Sequence, residues 1–339
     1  MKKQISQLSL IGGLTLISSS ALQAQFLQAN AQEAAGYAVS LEQGLTAVQS
    51  AADFAIANAR KAQTLTAGYD FANVETGSTG VRLFEGDIDQ SAMHLNYGHA
   101  FGDLIASIQV SLFDSEAESN YSDGALTGDV ELDSDGWFVA STLAYQWGEV
   151  NAVVIAGLGN LSNDSTRTSA AIAAPKTGDF DTEFYTLGIN VDYTIYQANN
   201  IIVTPRIGLN YTNVDVDSFS ESIVGPVLDR GELDSVDRDW FIGSVEVLLG
   251  WEASEALTLH AVLGWHYDFN GDDVELSGTD SVVVAGQIEI PGVGESYFKG
   301  GLSANYAINE NWSLGANTSF LSGDELDGFS IGASLGYSF

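Results

Sequence analysis

Apolar residues recur at every second position over most of this chain, and the pattern is cleanest at the carboxy-terminus. Phe329, Ile331, Ala333, Leu335, Tyr337 and Phe339 alternate with Gly328, Ser330, Gly332, Ser334, Gly336 and Ser338. Period two predicts a strand. With apolar residues on one face and small polar ones on the other, it suits a membrane crossing, which takes roughly 9–11 residues. The same alternation predicts a first strand near 63–72 and five hairpins, over 92–112, 137–159, 185–211, 241–268 and 298–320. Val245, Val247, Leu249 and Trp251, for example, face away from Ser244, Glu246, Gly250 and Glu252. The charged residues inside these segments, Asp192, Arg206, Glu246, Glu252, Asp268 and Lys299, all fall on the polar face. That is required if the other face touches hydrocarbon, where an Arg or Lys at the midplane costs roughly 2–4 kcal/mol.

The connections carry a second pattern. Short ones at 102–103, 148–150, 197–200, 253–256 and 308–311 alternate with long acidic ones at about 72–90, 114–133, 161–179, 213–236 and 270–293, and the last, 322–327, is brief. Short turns on one side and long loops on the other define two sides of a membrane. Counting the closing strand, the reading is an all-β, 12-stranded antiparallel transmembrane barrel over 63–339, with both barrel ends on the short-turn, periplasmic side. Trp147, Trp251, Trp265, Trp312, Tyr211, Tyr267 and Tyr306 stand at strand ends as aromatic girdles do. Val81 to Phe84 is an alternative placement for the first strand.

Ahead of the barrel the period changes. Met1-Lys2-Lys3, the apolar run Leu8 to Ile17 and small residues through Ala24 make the three parts of a secretory signal over 1–24. Ala21 and Ala31 are other possible cleavage positions. Within 25–62, Val39, Leu41, Leu45, Val48, Ala52, Phe54 and Ile56 fall largely at helical intervals, and one helix is expected from about Gln32 to Ala62. At 1.5 Å per residue it is roughly 45 Å long, enough to thread a barrel. Its small apolar residues mixed with Gln, Ser and Thr suit a polar lumen; a cap on the periplasmic side or a position outside the barrel are the alternatives. In the lumen, the charged residues named above could grip the helix through Arg60 and Lys61, or line a pore.

Composition narrows the function classes. Lys+Arg 11 against Asp+Glu 45 gives a net charge of −34, which excludes nucleic acid as a partner. There is no Cys, hence no disulfide framework, thiolate metal site or cysteine nucleophile. Asp114, Glu116, Glu118, Asp129, Glu131, Asp133, Asp135, Asp215, Asp217, Asp272 and Asp273 form an acidic rim in the expected extracellular loops. Such carboxylates can hold divalent cations or meet lipopolysaccharide phosphates through them, although none has the spacing of a defined calcium loop. No Gly-Asp-Ser-Leu, His-Glu-x-x-His or Gly-x-Ser-x-Gly phrase occurs. His260 and His266, six residues apart on one strand, are roughly 20 Å apart and cannot share a metal. His94 reads as a hydrogen-bonded lumenal filler. Neither catalysis nor a cofactor is expected.

A signal peptide, a long helix and a twelve-stranded meander ending in Gly-Tyr-Ser-Phe resemble the translocator β-domain of autotransporters, over about 40–339. The phrases that carry the resemblance are Gly188 to Tyr193, of the form Gly-x-Asn-x-Asp-Tyr, and Thr204-Pro205-Arg206-Ile207-Gly208-Leu209-Asn210-Tyr211. The resemblance implies a helix in the pore, outer-membrane lipid and lipopolysaccharide around the barrel, and recognition of the closing strand through Tyr337 and Phe339 by the barrel-assembly machinery of a Gram-negative outer membrane. In that family the helix leads back to a secreted passenger. Here few residues precede it, and the Asn-Asn pair at which some members cleave is replaced by Asn58-Ala59-Arg60. The expectation is a translocator-type barrel without a sizeable passenger, structural or transport-related. The rivals are a diffusion porin and a surface adhesin acting through the acidic loops.

Overall fold

A computed structural model describes residues 19–77, 85–123, 126–169, 175–220, 222–223, 231–270, 274–280, 283–290, 296–323 and 326–339. The barrel strands are β1 Thr64–Gly77, β2 Glu85–Phe101, β3 Leu104–Asp123, β4 Leu126–Trp147, β5 Val150–Ser169, β6 Lys176–Tyr193, β7 Ile201–Val216, β8 Val236–Glu252, β9 Leu257–Asp268, β10 Ser296–Ala307, β11 Trp312–Gly323 and β12 Leu326–Ser338. Each pairs antiparallel with its neighbour. β12 pairs back onto β1 from Thr64↔Ser338 to Thr76↔Leu326, so the twelve strands close into a barrel with no free edge. The turns on the periplasmic side are tight. Between β6 and β7 a short segment, Tyr196–Ala198, folds back on β7 through Asn199 and Asn200, both with positive φ (52° and 64°), a conformation Asn tolerates better than most residues.

The outward face is apolar in a band. Leu95, Ile108, Leu187, Leu209, Val247, Leu263, Leu302 and Ile331 are all exposed there, the face an integral outer-membrane barrel turns to lipid. The first strand runs as expected from the start of the barrel, but to Gly77; the alternative at Val81 to Phe84 lies outside the described residues.

The long connections depart from expectation. Within 114–133, expected as a loop, the described residues continue β3 and β4, which stay paired up to Asp123↔Leu126. The described residues of 72–90, 161–179 and 213–236 are likewise mostly strand. The physical reason is an inversion of facing: Asp114, Glu116 and Glu118 occupy the outward positions that Ile108, Val110 and Leu112 hold lower down, while Ala117, Val130 and Leu132 turn inward and are buried. Alternation persists with its sign reversed, as in strands that face water outside and a core inside. The tract 270–293 holds two strands, Val274–Asp280 and Val283–Ile290, which join Gly231–Leu233 and Phe219–Ser220 in a small four-stranded sheet. Asp272 and Asp273 lie outside the described residues.

One helix, α1, spans Ser19–Asn58. It starts earlier than the expected Gln32 and stops short of Ala62; no Pro or Gly interrupts Ser19 to Ala35. It occupies the lumen, packed against β2–β7 and most closely against β3 and β4. Its Leu45, Val48, Ala51, Ala52 and Ala55 form one core with inward Phe138, Ile155, Phe184 and Val214. The core therefore sits on one side of the barrel. The small residues expected of a lumenal helix are what let it lie close to that wall.

Candidate functional site: the helix and the charged row of the lumen

The polar face of β6–β10 carries a register row that crosses five strands: Asp192↔Arg206, Arg206↔Glu246, Glu246↔Gly264, Gly264↔Lys299. Because barrel strands tilt, the row climbs from the periplasmic end of β6 to the upper half of β10. Arg206 Nε lies 3.5 Å from Asp192 Oδ1, and its Nη1 lies 3.4 Å from Glu246 Oε2. His266 Nε2 is 3.3 Å from Glu246 Oε1, and the His266 ring stacks on Tyr297 at 4.8 Å. Gly264 gives the row its slack: a Cβ there would stand 2.7 Å from Glu246 Cγ.

Asp53 on the helix and Arg60 just beyond it meet the two ends of this row. Arg60, just past the helix end, pairs with Asp192, which is almost wholly buried. Asp53 pairs with Lys299. The helix runs on from Asp53 to Asn58 and the chain turns at Arg60, so the two side chains stand at different heights, as the two ends of the row do. The charges are complementary at each: Arg60 to barrel anion below, Asp53 to barrel cation above.

A second set holds the opposite side of the helix. Phe54 stacks on His94 with ring centroids 4.5 Å apart. Gly68 makes the space, since a Cβ on it would lie 2.2 Å from the Phe54 ring. His94 Nε2 pairs with Asp70, and its Nδ1 lies 2.8 Å from Ser111 Oγ. Ser50 of the helix donates to Asp70 Oδ2 at 2.6 Å, and Gln109 Nε2 donates both to the Ala51 carbonyl (2.8 Å) and to Ser111 Oγ (3.0 Å). Carboxylate, imidazole and hydroxyl follow one another here as in a nucleophilic triad. Ser111, however, is completely buried, leaving a substrate carbonyl no approach, and every outward bond of the set ends on the helix. Higher up, Gln43 donates to Ser115 Oγ (2.7 Å) and accepts from Ser134 Oγ (3.1 Å), and Ser40 lies 2.8 Å from Thr182.

Of the residues singled out in the sequence, Asp192, Arg206, Glu246, Lys299 and Arg60 come together in or on the row. Glu252 lies on the same inward face of β8 but at its last position, exposed at the periplasmic mouth. Asp268 ends β9 and caps its top, accepting from the Phe241 and Asn270 amides at 3.0 Å each. Lys61 follows the helix, half-buried, its carbonyl facing Gly98. Tyr337 and Phe339 lie at the closing seam: Trp312 and Phe339 pack on Tyr337 at 4.8 and 5.0 Å, and the Phe339 amide donates to the Gln63 carbonyl. Asp53 and Asp70 escaped sequence reading. For Asp53 a signal was available: on the helix expected from Gln32 to Ala62 it stands seven residues before Arg60, two helical turns, and so on the same side.

Among the described residues no group of three or more His, Cys, Asp or Glu side chains is arranged to hold a metal ion. No described helix is long and apolar enough to cross a membrane, which does not bear on a barrel.

Known proteins place this architecture. The translocator domain of the autotransporter NalP from Neisseria meningitidis superposes with a TM-score of 0.70 at 16% identity, covering 90% of this chain and 100% of that one. The transport unit of the autotransporter AIDA-I from Escherichia coli gives 0.54 at 10% identity, covering 86% and 98%, and the beta domain of the Bordetella autotransporter Brka gives 0.53 at 14%, covering 82% and 100%. At such identities these likenesses concern the fold. No curated protein matches the chain by sequence. Residues 117–319, more than half the chain, match the family model of the autotransporter beta-domain, and the chain belongs to that family of outer-membrane translocator barrels.

Proposed function

We propose that this protein is a translocator-type barrel whose helix is retained in the lumen as a plug, exported by the signal at 1–24 and assembled through its closing strand, with Tyr337 and Phe339 presented to the barrel-assembly machinery. The reading assigns it no catalysis. Lipopolysaccharide would surround its outer half. The observation that carries the plug is the fit of Asp53 and Arg60 to opposite ends of one charged row. A helix merely passing through would have no reason to match both signs at both heights.

The test uses a single reporter cysteine, Ala55→Cys, which is fully buried against the barrel wall. In the parent it should resist a membrane-impermeant maleimide. Inverting both charges, Asp53→Lys with Arg60→Glu, should expose it, and the compensating Lys299→Glu with Asp192→Arg should restore protection. Unchanged protection after the double inversion would defeat the plug reading.

A further inference from the structure

The helix fills only one side of the lumen. It rests on β2–β7, and across from it, between α1 and β8–β12, a cavity of about 500 Å³ remains. Near its periplasmic end, Lys61, just past the helix, and His260 of β9 both line this cavity, and the Lys61 ammonium stands close enough to act electrostatically on the His260 ring. Among the described residues neither side chain has a hydrogen bond or an ion pair. The other cations lining the cavity are matched: Arg60 by Asp192, Arg206 by Asp192 and Glu246, and Lys299 by Asp53. An unmatched lysine is unexpected in a chain with Asp+Glu 45 against Lys+Arg 11, where a carboxylate partner is easily supplied.

The wall around the pair is built of neutral donors. His260 is in register with Ser303, and Ser303 with Asn317. One step lower, Asn305 and Ser334 flank Gly315, on which a Cβ would stand 2.4 Å from Ser334 Oγ and 3.3 Å from Asn305 Oδ1. Below the charged row no inward position of β9–β12 is acidic. Just above His260 the lining turns apolar, with Val262 on the same strand, Leu248 in register with it, and Ile56 of the helix. We propose that this end of the cavity binds a small organic carboxylate, its head on Lys61 and His260 and its short apolar tail along Ile56, Leu248 and Val262. The ammonium donates charge-assisted hydrogen bonds, a neutral imidazole donates one more, and the Ser and Asn side chains supply the rest. One ammonium among neutral donors suits a single negative charge, and the apolar lining above it suits a ligand that is more than an inorganic ion. The inference rests on the lumenal-plug reading, because the helix is what holds Lys61 in the lumen.

The experiment is calorimetric titration of the detergent-purified full chain with hexanoate, with acetate, inorganic phosphate and hexylammonium as comparison probes; unheated electrophoresis checks that each variant is folded. Hexanoate should bind at one site per chain, and the other three at least about tenfold more weakly. Lys61→Met should weaken hexanoate by about tenfold or more and His260→Gln by about threefold, whereas Lys61→Arg, which keeps the charge, should stay within about threefold of the parent. Equal binding of phosphate overturns the carboxylate class, equal binding of acetate overturns the tail, and equal binding of hexylammonium overturns the head. Hexanoate affinity unchanged in folded Lys61→Met overturns the site; should that variant not fold, unchanged affinity in His260→Gln does so. The Ala55→Cys protection assay, run on the same preparation, separates this site from the plug. Protection without hexanoate binding overturns the site and leaves the plug standing, while exposure of Ala55→Cys with the helix charges intact overturns the plug, and the site with it.

Discussion

The lower and upper halves of β3 show one backbone in two solvents. Below, its outward residues are Ile108, Val110 and Leu112, and its inward ones Ser107, Gln109 and Ser111. Above, the outward residues are Asp114, Glu116 and Glu118, and the inward ones Ser115, Ala117 and Ser119. β4 inverts at the same height: its pairing with β3 passes without interruption from Leu112↔Trp137 to Asp114↔Asp135. The hydrogen-bond ladder is indifferent to the change. The comparison teaches that the barrel is longer than the membrane is thick, and that the membrane is a band written on it by side chains alone.

The largest test sets the two halves against each other on one face of one strand. Ile108→Arg puts a cation in hydrocarbon and should cost roughly 2–4 kcal/mol of barrel stability; Glu116→Arg, eight residues higher, should be tolerated, since it lies in water among carboxylates. The folded fraction on unheated electrophoresis reads both. Equal damage, or equal tolerance, would break the band. Next in size is the inner side of the extension. Leu132 is 1% exposed, and Leu132→Ala should remove about 2–5 kcal/mol of local stability. The expected result is proteolysis of the 114–135 hairpin while the apolar band stays resistant; loss of the whole barrel would mean the two halves fold as one unit.

A smaller effect concerns the like charges that the extension sets side by side. Asp89, Glu116, Asp133, Asp164 and Asp179 form one register row across β2–β6, and directly opposed like charges in a sheet are destabilising by roughly 0.2–1 kcal/mol a pair. Salt shortens their reach, from about 30 Å at 0.01 M to about 3 Å at 1 M. Amide exchange in this part of β3 and β4 should therefore slow as salt is raised, whereas exchange in 104–112 should stay flat. Glu116→Gln with Asp133→Asn should flatten the upper half too.

The inversion explains what could and could not be read from the chain. Where the outward face was apolar, as at Leu187, Ile189 and Val191, period two announced the strand and its facing directly. Above the band the same period continues, but the acids at 114–118 and 129–135 have the composition of a solvated loop, which hides their parity. In fact every acid there keeps one parity, and Val130 and Leu132 keep the other. The helix was legible as a lumenal candidate from its small residues. Which wall it would lean on was not, because that depends on inward residues of β4–β7 that sequence cannot bring together. Arg60 and four members of the charged row were identifiable as inward charges; their register, which makes them a row, comes only from pairing.

The smallest effect is also the most specific to the upper half. Asp215 stands on the outward face of the β7 extension, opposite Glu183 on β6 and Asp237 on β8. Partial burial first, and then the charges of Asp237, Asp217 and Glu183, push its carboxyl above the ordinary range. A carboxylate whose pKa is raised on folding destabilises the fold once it ionises: the penalty is full above the folded pKa, eases as pH falls through it, and is gone below the unfolded value. Asp215→Asn should therefore protect the β6–β8 extension at neutral pH and confer nothing at pH below the ordinary carboxylate range, read as the difference in amide exchange between variant and parent at each pH. A gain that persisted unchanged at low pH would assign the effect to packing of the amide and remove like-charge repulsion from the account of the extension. No such pH-dependent gain should accompany a neutral polar change at Leu209, six residues lower on the same face, because no carboxylate faces it there.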